Sequence, residues 1–251
     1  VLGNIIGSNL FNVLGILGIC SVIAPLSVKS NTTWLEIPLS LLAAVALYVM
    51  ANDVLFDSLD ENILTRTDGV VLLLFFIIFL VYNITLSINN PEDIGENTKT
   101  YSYTKDVFFI VVGLAGLVIG GRLIVTSAVE IAESFGLSER VIGLTIVSIG
   151  TSLPELATSV VAVRKQNLDI AIGNVVGSNI FNIFLILGLS TVVTPIVVPP
   201  GAFVDIGLNI IAGLLLFVFI FTGKGRSLER WEGIIFLTIY ISYLTYLITS
   251  G

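Results

Sequence analysis

The stretch "IGTSLPELATS" at 149–159 sets one carboxylate and two hydroxyls within reach of each other. Thr151 and Glu155 are four residues apart and Ser152 and Glu155 three apart, so on a helix all three face one point. Pro154 has no N–H, which frees the carbonyl of Gly150 four residues before it. Glu155 falls near the middle of the apolar run 141–163 and is the only acid deep within any such run. An ionisable group at that depth in a bilayer costs about 2.5–3.5 kcal/mol on insertion scales and marks an ion path by default. Two further stretches, "GNIIGSNLFN" at 3–12 and "GNVVGSNIFN" at 173–182, hold amides and hydroxyls inside apolar runs. Asn4, Ser8 and Asn12 recur at i, i+4, i+8 and form one polar stripe, as do Asn174, Ser178 and Asn182. Asn4, Asn9, Asn174 and Asn179 read equally well as interhelical glue or as part of a site. For Ser8, Asn12, Ser178 and Asn182 the alignment of each with a counterpart favours a site. Carboxylate, hydroxyls, amide oxygens and carbonyls form a hard, oxygen-only set that suits Ca²⁺ or Na⁺ rather than zinc or copper.

The elements that must carry these groups cross a membrane. The chain is 55% hydrophobic and 12% charged, with a mean hydropathy of +1.04. Average soluble domains carry about twice that charged fraction. Runs near 2–24, 35–56, 68–88, 105–127, 141–163, 170–194, 203–222 and 231–249 approach or exceed the roughly 20 apolar residues that span a bilayer. The fold expected is an all-α polytopic membrane protein with eight transmembrane helices. Pro25, Pro195 and the pair Pro199-Pro200 mark exits. The polar stretch 89–106 reads as a linker between halves. Counting Lys and Arg in loops puts Lys29, Lys99, Lys105, Arg164, Lys165, Lys224, Arg226 and Arg230 on one side and Arg66 and Arg140 on the other. The first side, with the linker, is expected to be cytoplasmic and the C-terminus outside.

The polar stripes are copies of each other. Gly3, Asn4, Gly7, Ser8, Asn9, Phe11, Asn12, Leu17, Gly18 and Pro25 align without a gap to Gly173, Asn174, Gly177, Ser178, Asn179, Phe181, Asn182, Leu187, Gly188 and Pro195. "RTDG" at 66–69 and "RWEG" at 230–233 echo the duplication. The copies lie on the first and sixth spans. Five crossings separate them, so they run in opposite directions, as in transporters whose substrate site lies at the interface of inverted repeats. Gly3 with Gly7, and Gly173 with Gly177, permit close helix approach.

Composition also excludes classes. The chain has no histidine, which removes Ser-His-Asp catalysis and HExxH zinc sites. The net charge of −7 argues against nucleic acid. Cys20 reads as a small apolar helix residue. An intramembrane enzyme needs a nucleophile with a base or a paired acid, and one deep carboxylate supplies neither. A purely structural module fits the hydropathy but not the duplicated stripe.

The run "GTSLPE" at 150–155 followed by "GNVVGSNIFN" at 173–182 resembles the second alpha-repeat of sodium/calcium exchangers, in the cation/calcium antiporter superfamily. The 3–12 copy resembles the matching part of the first. The resemblance implies ten helices in two inverted sets of five. Residues 1–88 are then the remainder of the first repeat, 89–106 a cytoplasmic linker and 107–251 the second repeat. The first two helices of the pattern, with the first GTSLPE-type motif, are expected to be missing by truncation rather than by loss. The resemblance further implies exchange of Na⁺ for Ca²⁺ by alternating access in the cell membrane, with no cofactor. The partners are the two ions and the lipid bilayer. Thr151, Ser152, Glu155, Ser178, Asn182, Ser8 and Asn12 would be ion ligands, and Ser148 would add its backbone carbonyl. Asn182 stands where potassium-dependent relatives tend to carry aspartate, which favours a potassium-independent exchanger. A Ca²⁺/H⁺ antiporter of the same superfamily, with Glu155 exchanging protons, stays open.

Overall fold

A computed structural model describes residues 1–89, 103–134, 136, 139–223 and 225–250. Its long apolar helices are α1 (Leu2–Ile23), α2 (Thr32–Met50), α3 (Arg66–Ile88), α4 (Tyr103–Ala132), α7 (Leu168–Val193), α8 (Ala202–Phe219) and α9 (Arg230–Thr249). Between α4 and α7 lie α5 (Gly143–Thr151) and α6 (Leu153–Arg164), which meet at a 51° bend and together make one broken span. The eight expected spans are therefore present. Most of the expected linker 89–106 lies outside the described residues, and α4 already begins at Tyr103, inside its expected bounds.

Local sequence explains where the helices stop. Pro25 and Pro195 follow α1 and α7, and the preceding residues, Ala24 and Thr194, are extended (φ −151°, ψ 142° and φ −144°, ψ 122°). A residue before proline is pushed out of the helical region by the ring. Pro154 sits instead at the start of α6, where the missing N–H has no helical acceptor to lose, and Pro38 lies inside α2 just after its π-helical turn Thr32–Glu36.

Apolar side chains gain little by leaving lipid for a neighbouring helix, so close backbone approach through small residues does the assembling. α1 is the centre: 89% of its apolar window is buried, against 6% for α4, which lies at the periphery. Phe108, Phe109, Ile110, Val111, Ile119 and Leu123 of α4 are exposed, as suits a lipid-facing surface.

The two halves are interlocked rather than side by side. The last helix of each half packs on the stripe helix of the other. Added Cβ atoms at Gly69 of α3 and Gly233 of α9 would stand 2.7 and 2.8 Å from the carbonyl oxygens of Gly188 (α7) and Gly18 (α1). Arg66 Nε donates to the Val192 carbonyl at 3.2 Å, and Arg230 Nη2 to the Ile23 carbonyl at 3.3 Å. Each arginine thus answers the unpaired carbonyls at the end of a helix from the opposite half. The third conserved feature of the echo, the acid, caps its own helix. Asp68 Oδ2 accepts from the Thr65 N–H at 2.7 Å, and Glu232 Oε2 from the Glu229 N–H at 2.6 Å.

Short antiparallel pairings repeat the interlock. β1 (Leu26–Ser27) pairs with β4 (Ser227–Leu228), and β2 (Ile63–Leu64) with β3 (Ile196–Val197). They clip together the α1–α2 and α8–α9 connections at one end, and the α2–α3 and α7–α8 connections at the other.

Candidate functional site

The broken span places the chemistry. Its helix stops at Ser152 (φ −96°, ψ 6°), two residues before Pro154. The C-terminal carbonyls of α5 and the N-terminus of α6 therefore meet inside the bundle. The former favours a cation, and the latter supports the Glu155 carboxylate, which stands in the first turn of α6. Ser152 is buried at the N-cap of α6 but makes no side-chain capping bond, the usual use of serine there. Asn12 and Asn182 lie in widened, π-helical turns, Phe11–Leu17 and Phe181–Leu187, and a third such turn, Gly143–Val147, leads into Ser148. Extra-wide turns of this kind recur at functional positions because they re-aim side chains.

One group of the expected ligands is joined directly. Ser8 Oγ is 3.0 Å from Thr151 Oγ1 and donates to the Ser148 carbonyl at 3.3 Å. Thr151 Oγ1 donates to that carbonyl at 3.1 Å. Gly7 makes this possible. A Cβ there would stand 2.6 Å from the Leu144 carbonyl, so only glycine lets α1 lie this close to α5.

A second group surrounds the acid. Ser178 Oγ donates to Glu155 Oε1 at 3.4 Å, while Glu155 Oε2 is buried and accepts no hydrogen bond from the described residues. Asn174 Nδ2 donates to Thr158 Oγ1 at 3.0 Å and Ser159 Oγ at 3.1 Å, and reaches the Glu155 carbonyl at 3.4 Å.

A third group crosses between the copies. Asn12 Nδ2 donates to Asn179 Oδ1 and Asn182 Nδ2 to Asn9 Oδ1, both at 2.9 Å. Asn12 Oδ1 is buried and accepts no hydrogen bond from the described residues. Buried carboxylate and amide oxygens without donors are costly. A bound cation would satisfy both. Among the described residues there is no cluster of three His, Cys, Asp or Glu side chains, so a cation here would meet hydroxyl, amide and main-chain oxygens around one acid.

The sequence missed other groups. Thr158 and Ser159 join Asn174 beneath Glu155, and only the turn-spaced hydroxyls of "ELATS" hinted at them. Asp205 and Glu232 are buried, more fully than Glu155, which is half-buried with its Oε2 enclosed. Both stand in the first turn of their helices, α8 and α9, rather than mid-span. Asp205 Oδ1 accepts from the Tyr243 hydroxyl at 2.9 Å. The two stripes also differ in surroundings. Gly3 and Gly7 lie against α5, whereas Cβ atoms added at Gly173 and Gly177 would meet open space. There a cleft of about 1200 Å³ runs between Glu36, Asn83, Asp169, Asn174 and Phe181.

Known proteins share this architecture. The sodium/calcium exchanger protein family model matches residues 1–85 and 105–249. CaxA of Alkalimonas amylolytica is 36% identical over 99% of the chain, which covers 78% of that protein. The inner membrane protein YrbG of Escherichia coli is 37% identical over 80% of the chain and 62% of its own length. The sodium/calcium exchanger MaX1 of Methanosarcina acetivorans is 42% identical over 58% of the chain and 41% of its own length. Among solved structures, the sodium-calcium exchanger NCX_Mj soaked with Na⁺ and Sr²⁺ superposes with a TM-score of 0.75 at 32% identity, over 97% of this chain and 75% of that one. The chain thus belongs to the sodium/calcium exchanger family, whose members are membrane-embedded cation/Ca²⁺ antiporters and not enzymes.

Proposed function

We propose that the protein exchanges Na⁺ for Ca²⁺ by alternating access. Its cation site is the meeting point of α1, α7 and the break between α5 and α6. Glu155 supplies the charge. Thr151, Ser152, Ser8, Ser178, Asn12 and Asn182 supply neutral side-chain oxygens, and Ser148 its main-chain carbonyl. The observation that carries this reading is the buried Oε2 of Glu155, which has no donor among the described residues, beside an Oε1 that accepts from the Ser178 hydroxyl. The donor-free Oδ1 of Asn12 supports it independently. Oxygens of this kind bind hard cations. In vesicles loaded with Na⁺ and holding the full-length protein, Ca²⁺ uptake should follow the outward Na⁺ gradient and persist when the pH gradient is collapsed. Uptake that follows the pH gradient and ignores Na⁺ would make this a Ca²⁺/H⁺ antiporter instead.

The clipped connections bear on orientation. One end gathers Lys29, Arg226 and Arg230 around the β1–β4 pair, and Lys29 bonds Asp169 at 2.8 Å. The opposite end, at β2–β3, carries Arg66. By charge asymmetry the first end is cytoplasmic, the 89–106 linker lies on it and the C-terminus lies outside in the cell membrane. In a Cys20→Ser background, Asn31→Cys should react with an impermeant thiol reagent only from the cytoplasmic side, and Val197→Cys only from outside. Reaction of both from one side would overturn the inverted arrangement.

A further inference from the structure

Asn12 and Asn182 can offer a cation a carbonyl oxygen or, turned over, an NH₂ group that repels it. Their own helices do not decide which. The decision is traced to two main-chain carbonyls, which cannot be turned over. Asn179 Nδ2 donates to the main-chain oxygen of Asn9 at 3.3 Å, and Asn9 Nδ2 approaches that of Asn179 at 3.5 Å, the outer limit for such a bond. With the NH₂ group of each committed there, each turns Oδ1 the other way. An amide oxygen only accepts. The group facing Asn179 Oδ1 must therefore be the Asn12 NH₂, and the group facing Asn9 Oδ1 must be the Asn182 NH₂. Both bonds are 2.9 Å long. Turning Asn12 over would set oxygen against oxygen in a buried site, since Asn9, Asn12 and Asn179 are all buried. The outcome is visible at Asn12, whose Oδ1 faces away from the lock and has no donor.

We propose that Asn9 and Asn179 are positioning residues that aim the Oδ1 atoms of Asn182 and Asn12 at the cation, each acting on a ligand from the opposite repeat. Neither touches the ion. The inference rests on the ion-site reading above, in that Asn12 and Asn182 must be ligands.

The test is a double-mutant cycle on Na⁺-driven Ca²⁺ uptake by the full-length protein. Asn179→Leu keeps the volume and removes both hydrogen-bonding atoms. Loss of a group that orients a metal ligand costs 10–100-fold in affinity, so the KM for Ca²⁺ should rise at least about tenfold, with the rate at saturating Ca²⁺ within about twofold. In an Asn12→Ala background the same substitution should add less than about twofold, because the ligand it orients is gone. An equal rise in both backgrounds would mean that Asn179 only packs, and an unchanged KM in the otherwise native protein would also overturn the proposal. Asn9→Ser against Asn182→Ala is the second cycle, used if Asn179→Leu does not reach the membrane. Asn12→Ala alone separates the two levels. If it leaves the KM unchanged, the ion-site reading fails. If it raises the KM while Asn179→Leu does not, only the positioning role fails.

Discussion

Glu155→Gln should abolish Na⁺-driven Ca²⁺ uptake while leaving the protein folded and in the membrane. Glutamine keeps the size, one carbonyl oxygen and the means to bond Ser178. It loses the one formal charge in the proposed ligand set. Two unit charges 4 Å apart attract by about 4 kcal/mol at an effective dielectric constant of 20, and a divalent ion doubles this. No neutral oxygen makes up that difference, so the loss in uptake should exceed about a hundredfold, or roughly 2.7 kcal/mol. The melting temperature should hold or rise, because an amide is cheaper to bury than a carboxylate. Ser152→Ala removes one neutral oxygen and should cost about tenfold or less, in line with one hydrogen-bond-sized interaction of about 1 kcal/mol. The measurement is initial Ca²⁺ flux at matched expression, with thermal unfolding in parallel. Near-native flux in Glu155→Gln would make the acid structural and move the cation site elsewhere.

Gly7→Val should be nearly as damaging, through geometry rather than charge. The Cβ that valine adds meets the Leu144 main-chain oxygen at 2.6 Å. That oxygen belongs to a helix and cannot step aside as a side chain would. α1 and α5 must separate instead, because the backbone fixes the position of Cβ and no choice of rotamer moves it. Overpacking of this kind costs about 1–3 kcal/mol of stability. Ser8, the next residue, bonds across the same gap to Thr151 and to the Ser148 carbonyl. A displacement of about 1 Å in a site costs on the order of a hundredfold in activity, so flux should fall by that much, with a lowered melting temperature. Gly3→Ala is the control. Its Cβ would meet the Leu144 side chain at 3.7 Å, an ordinary contact, and both readouts should stay native. Equal damage from the two substitutions would mean that the close approach at Gly7 has no special role.

The duplicated stripe, the buried acid and the broken span are all legible in the sequence, because each violates what an apolar helix tolerates. A carboxylate, six asparagines and a proline in membrane-spanning segments are costly enough that their spacing carries information. Span number follows for the same reason, since length and hydropathy decide it. The partition of the asparagines was legible only in part: the sequence favoured Asn12 and Asn182 as site residues and left Asn4, Asn9, Asn174 and Asn179 open between site and interhelical contact. Asn4, Asn9, Asn12, Asn174, Asn179 and Asn182 have the same chemistry and lie within two ten-residue copies, yet they do different things. Asn174 binds beneath Glu155. Asn9 and Asn179 lock the two copies together. Asn12 is left with a donor-free oxygen. Nor could spacing explain why "RTDG" and "RWEG" recur. Each acid caps its own helix, while each arginine and glycine serves a helix of the opposite half.

The sequence by itself therefore determined an all-helical membrane fold, its inverted duplication and the oxygen-rich character of its polar groups. These are properties of one helix at a time, set by periodicity, hydropathy and the cost of burying a polar atom. Only the tertiary structure decided which polar atoms are spent on holding helices together and which are left over. That division depends on partners more than a hundred residues away, such as Ser8 with Thr151 and Asn12 with Asn179. A hydrogen bond between distant helices leaves no mark on local spacing, because its geometry exists only once the two backbones have been brought together.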